Sequence, residues 1–175
     1  ANSGCLSGAP FDATNFNTGG ANLLQYDNTQ VAHSFQNNGG FSCKVAAPNN
    51  RNYVSWSSSL TNAQPTQSPV WFRLYLYFSS IPAFNVGVFQ AMNGANQAAL
   101  CQVNASTGTL SMLDHNGVAR ATTAAAIPVN AWFRVEGFVV GDPAVGQVSV
   151  SLFSGLDSTI ATETKTSAAS FNTSG

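Results

Sequence analysis

Paired carboxylates are the first chemistry to look for in this chain. Glycan-cleaving enzymes place two carboxyl groups about 5–5.5 Å apart for retention or about 6.5–9.5 Å apart for inversion. The chain has two glutamates, Glu136 and Glu163. Arg134 and Phe138 stand two positions before and after Glu136, so no second acid lies on the same strand face. We therefore predict that the protein is not an enzyme, since a hydrolytic pair would have to come from distant segments.

The histidines His33 and His115 are candidate bases. Spacing cannot identify a Ser-His-Asp constellation, however, and the sequence has no Gly-x-Ser-x-Gly nucleophile elbow. His115 lies within Asp114–Gly117, which reads Asp-His-Asn-Gly, and is predicted to be a turn residue.

Oxygen atoms that could hold calcium are scattered over separate turns. The candidate pairs are Asp12 with Asn15, Asp27 with Asn28, and Asp114 with Asn116. They form no EF-hand loop and no acidic cluster, and no cysteine pair or histidine cluster has zinc spacing. We predict no metal or other cofactor, with these side chains capping their own turns.

Two segments that share the motif Trp-Phe-Arg supply the candidate binding residues. Val70–Phe78 and Ala131–Val140 are rich in β-branched and aromatic residues and predict strands, each with one apolar face and one aromatic, charged face. If both strands lie in one sheet, the second faces share a surface for glycans or a protein partner, composed of Trp71, Arg73, Tyr75, Tyr77, Arg134 and Glu136. The alternative is that the arginines pair with Glu136 and that the tryptophans close the sandwich.

Charge is scarce in this chain. Six basic and seven acidic residues give a net charge of −1, and 7% of the residues are charged, against about 25% in a typical soluble domain. Such a surface has no basic stripe for nucleic acid and no polybasic patch for a membrane. Solubility must come from Asn, Ser, Thr and Gln, which is common in secreted, virion-surface and glycan-binding β-proteins.

Three cysteines, Cys5, Cys43 and Cys101, leave one unpaired whatever the pairing. A Cys5–Cys43 disulfide is possible and would contribute about 3–4 kcal/mol in the chain-entropy model. The competing and preferred interpretation is three small buried hydrophobic residues.

The chain as a whole predicts an all-β fold. About a dozen short strands separated by Gly, Pro and Asn turns argue for two packed antiparallel sheets, and apolar residues nowhere recur at helical spacing for three turns. Asn116-Gly117 predicts a hairpin with a type I′ turn. At 175 residues, the chain suits one domain over residues 1–175, which we expect to be part of a longer polypeptide.

Four segments carry a resemblance to a known family: Trp71–Tyr77, Gly108–Leu110, Ile127–Glu136 and Gly146–Phe153. They resemble concanavalin A-like (LamG-like) jelly-roll domains of actinobacterial phage tail and virion proteins and of secreted actinobacterial proteins. The resemblance implies a jelly-roll sandwich with a concave face that relatives use for glycan or protein contacts. Relatives carry one more strand at each end, so the terminal strands would come from a neighbouring chain or a longer polypeptide.

The resemblance and the composition together predict a non-enzymatic structural or decoration protein on the surface of a phage virion. Its partners would be other virion proteins, copies of itself, or glycans of the host surface. A secreted carbohydrate-binding module is the alternative, and a glycoside hydrolase or polysaccharide lyase is a third. The predicted location is the virion surface or the extracellular space, with no nucleic-acid or membrane partner.

Overall fold

The computed structural model describes the backbone of residues 13–15, 23–27, 42–46 and 53–55, and both backbone and side chains of residues 69–173. The chain divides into two compact units, Ala1–Gln64 and Pro65–Gly175. In the first unit, the described strands form two antiparallel pairs: β1 (Ala13–Asn15) with β4 (Tyr53–Ser55), and β2 (Leu23–Asp27) with β3 (Ser42–Ala46). The alternative Cys5–Cys43 disulfide lies outside the residues whose side chains are described, and the single-domain organisation stays a prediction.

The first described strand of the second unit is one of the two Trp-Phe-Arg strands. Its first sheet has four antiparallel strands in the order β12-β11-β10-β5. The strands are β5 (Pro69–Tyr77), β10 (Trp132–Val140), β11 (Gln147–Phe153) and β12 (Glu163–Thr166). Both predicted Trp-Phe-Arg strands are therefore confirmed, and they are direct neighbours.

The second sheet is an antiparallel meander in the order β6-β7-β8-β9. Its strands are β6 (Val86–Asn93), β7 (Asn96–Val103), β8 (Thr109–Leu113) and β9 (Ala119–Ala126). The described residues contain no helix, and so none that is long and apolar enough to cross a membrane.

The apolar side chains, which point to one face at every second position of each strand, form the core between these two sheets. On β10, Phe133, Val135 and Val139 are buried, while Glu136 and Phe138 on the other face are partly exposed. The inward residues of both sheets pack into one cluster, which includes Phe72, Cys101, Leu110, Met112, Val148, Val150 and Leu152. The all-β, two-sheet antiparallel sandwich is confirmed, and the jelly-roll topology stays a prediction.

The β8–β9 hairpin forms where Asn116-Gly117 predicts it, but the predicted type I′ turn is wrong. Gly117 has a φ of 77°, whereas Asn116 does not share this positive φ as a type I′ turn requires. The Asp114 carboxylate decides the geometry, because its Oδ1 accepts hydrogen bonds from the amides of Asn116 at 2.9 Å and Val118 at 3.0 Å. Asp114 thus caps its own turn, as predicted.

Candidate functional site

The register of β5 against β10 brings the six predicted residues onto one surface. Arg73 lies opposite Glu136, Tyr75 opposite Arg134, Tyr77 opposite Trp132, and Trp71 opposite Phe138. All of these side chains point away from the core, onto what we call the outer face of the β12-β11-β10-β5 sheet.

An ion-pair triad lies at the centre of the outer face. Arg73 Nε donates to Glu136 Oε1 at 2.6 Å, and Arg134 Nε lies 2.9 Å from the same oxygen. Arg134 Nε is buried, and its N–H does not point at Glu136 Oε1 well enough to form a hydrogen bond. The contact between Arg134 and Glu136 is therefore electrostatic only. Both pairings that the sequence left open are therefore present in the structure: Arg73 pairs with Glu136 across two strands, and Arg134 pairs with Glu136 along β10.

The two arginines differ in what their guanidinium groups can reach. The Arg134 side chain is 10% exposed, and its Nη1 and Nη2 donate to the carbonyls of Leu156 and Ser158, the latter at 2.6 Å. Its guanidinium carbon also lies 3.9 Å from the centre of the Phe153 ring. Arg134 therefore fastens the segment after β11 onto the outer face and positions Glu136. Arg73, with a side chain 61% exposed, is open to solvent.

Aromatic rings flank the triad along β5. Trp71 is 69% exposed and packs one side against Phe138, with ring centres 4.8 Å apart. At the other end of β5, Tyr77 packs against Trp132 at 5.8 Å, and Tyr75 lies between the two pairs at 37% exposure. Trp71 and Trp132 thus lie on the outer face and do not close the sandwich.

A shallow, open depression of about 290 Å³ is lined by Trp71, Phe72, Arg73 and Glu136. It combines an apolar ring, a cationic donor and a carboxylate acceptor. A pyranose has the matching features, since its C–H groups form an apolar face and its hydroxyls both donate and accept hydrogen bonds. The arrangement is suited to holding a sugar.

Hydroxyl groups continue the polar row across the sheet. Ser151 lies opposite Glu136 on the neighbouring strand, and Thr164 lies opposite Ser151 on the next. The hydroxyl oxygens of Ser151 and Thr164 are 2.8 Å apart. The row Arg73–Glu136–Ser151–Thr164 crosses four strands, a span of about 14 Å at about 4.8 Å per strand. Sequence alternation places Ser151 on the outer face, but only the strand order shows that it extends the polar row.

The second glutamate lies elsewhere. Glu163 pairs with Leu152 in the register and points to the inner face, where its Oε2 accepts the amides of Ala124 at 2.8 Å and Ala125 at 2.7 Å. These amides and the Lys165 ammonium lower the pKa of the Glu163 carboxyl to about 2. Glu163 therefore joins the margin of one sheet to the other, and the two glutamates do not converge on one cleft.

The remaining candidates within residues 69–173 serve the fold, whereas the side chains of His33 and of the predicted oxygen pairs Asp12–Asn15 and Asp27–Asn28 lie outside the described residues. Among residues 69–173, no three His, Cys, Asp or Glu side chains group in a way that could hold a metal ion. His115 Nδ1 lies 2.9 Å from the carbonyl oxygen of Asn172. Cys101 is fully buried, as the interpretation of the cysteines as hydrophobic residues expects, and burial raises the pKa of its thiol to about 12.

Comparison of the chain with protein-family models, with curated proteins and with solved structures found no match. Its class therefore rests on the fold and the site. The described part of the second unit is a two-sheet antiparallel β-sandwich with an aromatic and charged outer face.

Proposed function

We propose that this chain is a non-enzymatic β-sandwich domain that binds carbohydrate on its outer face. The observation that carries the proposal is the 69% exposed Trp71 beside the Arg73–Glu136 ion pair, with all three residues around one depression. Carbohydrate sites need an aromatic platform for the C–H face and a few placed polar groups for the hydroxyls. Both are present within a single cross-strand neighbourhood.

The outer face is rigid enough to bind without closing around its ligand. Trp71 is supported by Phe138, and Glu136 is held by Arg73 and Arg134. Side chains that are already ordered lose little conformational entropy when a ligand arrives.

The lining of the depression argues for binding without hydrolysis. Among the described residues, the lining includes one carboxylate, that of Glu136, whose Oε1 is shared by two guanidinium groups. A glycosidase needs a second carboxyl group within about 5–9.5 Å, placed across the scissile bond. Glu163 points to the opposite face of the sheet and cannot serve.

The virion-surface role stays a prediction that rests on the resemblance and on the low charge. A carbohydrate-binding outer face fits that setting, because glycans of the host surface are among the predicted partners. It fits a secreted binding module equally well, so a measurement of glycan binding bears on both roles.

The test is glycan-array binding by the full chain, followed by calorimetry on the strongest glycan. Trp71→Ala should weaken binding at least about tenfold, or about 1.4 kcal/mol. Phe84→Ala is the matched control, because Phe84 is also 69% exposed but lies in the β5–β6 connection, outside the depression. Circular dichroism would verify that both variants fold. Absence of binding to any glycan, or equal losses in the two variants, would refute the proposal.

A further inference from the structure

Positive charge exceeds negative charge in the triad. The ion pairs of Arg73 and Arg134 are both made with Glu136, and both involve its Oε1. One carboxylate therefore faces two guanidinium groups. Because arginine stays protonated throughout the usable pH range, the excess positive charge is permanent.

The excess charge is presented to solvent by Arg73. Its Nε is engaged by Glu136, and no other hydrogen bond from its guanidinium group is found within the part of the chain that the structure describes. The Nη1 and Nη2 groups form the second fork of a guanidinium, whose spacing matches the two oxygens of a carboxylate. This fork belongs to a side chain that is 61% exposed and lines the depression.

Trp71 and Arg73 are two residues apart on one strand and point to the same face, so their Cα atoms are about 6.8 Å apart. That separation suits a pyranose ring lying on the indole while its exocyclic group reaches the guanidinium. In a hexuronic acid, this exocyclic group is a carboxylate.

We propose that the outer face selects acidic carbohydrate, with a hexuronate ring on Trp71 and its carboxylate paired with the Nη1 and Nη2 groups of Arg73. This inference rests on the proposed carbohydrate-binding function. A charge-assisted, bidentate pair is roughly twice as strong as neutral hydrogen bonds, so a neutral sugar at the same place gains less. Arg73 is thus the specificity-determining residue, and Trp71 supplies affinity shared by all sugars.

Calorimetry with the full chain tests the proposal. The ligands are oligogalacturonate, an oligosaccharide of mannuronate and guluronate, and a hyaluronan oligosaccharide, and the affinity of each is compared with that of its methyl ester. The ester keeps the ring and removes the charge. At least one acid form should bind about tenfold more tightly than its ester, and added salt should weaken the acid form selectively. Arg73→Gln should abolish the preference while leaving ester binding in place. Trp71→Ala should weaken both forms.

Arg120→Gln is the matched control, because it removes the same charge on the other sheet and should leave the preference intact. If glycans bind in a Trp71-dependent way but esters bind as tightly as acids, the acidic selectivity is wrong and the carbohydrate-binding function stands. If acids are preferred but Arg73→Gln does not change that preference, the assignment to Arg73 is wrong. If neither acidic nor neutral glycans bind, both proposals fail.

Discussion

Replacing Asp114 with alanine should lower the free energy of unfolding by about 3 kcal/mol. The Asp114 side chain is 1% exposed, and its two oxygens accept hydrogen bonds from three groups. Oδ1 binds the amides of Asn116 and Val118, and Oδ2 accepts a hydrogen bond from Arg120 Nε at 2.7 Å. Alanine removes every one of these interactions from the β8–β9 turn.

The magnitude follows from the partners. A hydrogen bond to a charged group contributes about 1.5–3 kcal/mol net, so the two amides together contribute about 3 kcal/mol at the low end of that range. Arg120 is 36% exposed, so solvent reduces its ion pair to at most about 1 kcal/mol. For a chain of this size, about 3 kcal/mol corresponds to a fall in melting temperature of about 6–12 °C.

The contribution of the Asp114 carboxylate to the free energy of unfolding should also depend on pH. Burial alone would raise the pKa of Asp114, but hydrogen bonds from the Val118 amide, the Arg120 guanidinium and the Asn116 amide together lower it below its ordinary value. A lowered pKa in the folded state means that the carboxylate stabilises the protein above the unfolded pKa of about 3.9 and loses this effect as pH falls further. The stability gap between wild type and Asp114→Asn should therefore narrow below about pH 4.

Urea unfolding followed by circular dichroism measures these differences. Arg120→Gln separates the ion pair from the amide caps and should lower the free energy of unfolding by at most about 1 kcal/mol. The reasoning is refuted if Asp114→Ala lowers it by less than about 1 kcal/mol, or if Arg120→Gln is as damaging as Asp114→Ala. A gap between wild type and Asp114→Asn that stays constant down to about pH 2 would refute the pKa argument.

Three further outcomes test the packing and the remaining charges. Gly146→Ala should lower the free energy of unfolding by about 1–3 kcal/mol. The added Cβ would overlap the Thr173 hydroxyl and lie 2.7 Å from the Phe171 carbonyl oxygen. An unchanged midpoint of urea unfolding would contradict this. The Glu163→Gln variant should have a lower free energy of unfolding than wild type near neutral pH, because the ionised carboxylate stabilises the fold. The difference should shrink as pH falls from 4.5, the ordinary pKa of the group, towards its folded-state pKa of about 2. A difference that does not change with pH in urea unfolding would contradict this. Cys101 should resist alkylation at about pH 8 in the folded protein and react after unfolding, as read by peptide mass mapping; labelling of the folded form would overturn its assignment as an inert buried thiol.

The faces of the two central strands could be predicted because strand geometry dictates them. Alternation alone assigns Phe133 and Val135 to the core and Trp71 and Arg73 to the outer face, and burial agrees. Which strands are neighbours depends on contacts across the whole chain, and local sequence does not encode them. The row from Arg73 to Thr164 could therefore not be predicted, although each of its members could be placed on a face.

Charged side chains were harder to place than apolar ones. Glu163 follows the β11–β12 connection in a weak strand, and nothing near it in sequence indicates that the β9 amides are its partners. At Asn116-Gly117 the sequence predicts a hairpin correctly, yet the buried Asp114 carboxylate overrides the turn type expected from that dipeptide. In both cases a side chain to backbone contact decides the local structure.

Arg73 differs from the other lysine and arginine side chains of the second unit in its exposure and in its contacts. Every lysine and arginine of residues 69–173 is in an ion pair, and three of them also help to hold the fold. Arg134 fastens a loop, Arg120 supports the Asp114 turn, and Lys165 holds the glutamate that joins the sheets. Arg73 has the most exposed side chain, at 61%, and shares its carboxylate with a second guanidinium. In a chain with so few charges, an exposed cation beside an exposed tryptophan contributes little to stability, and that is why we propose a role in recognition for Arg73.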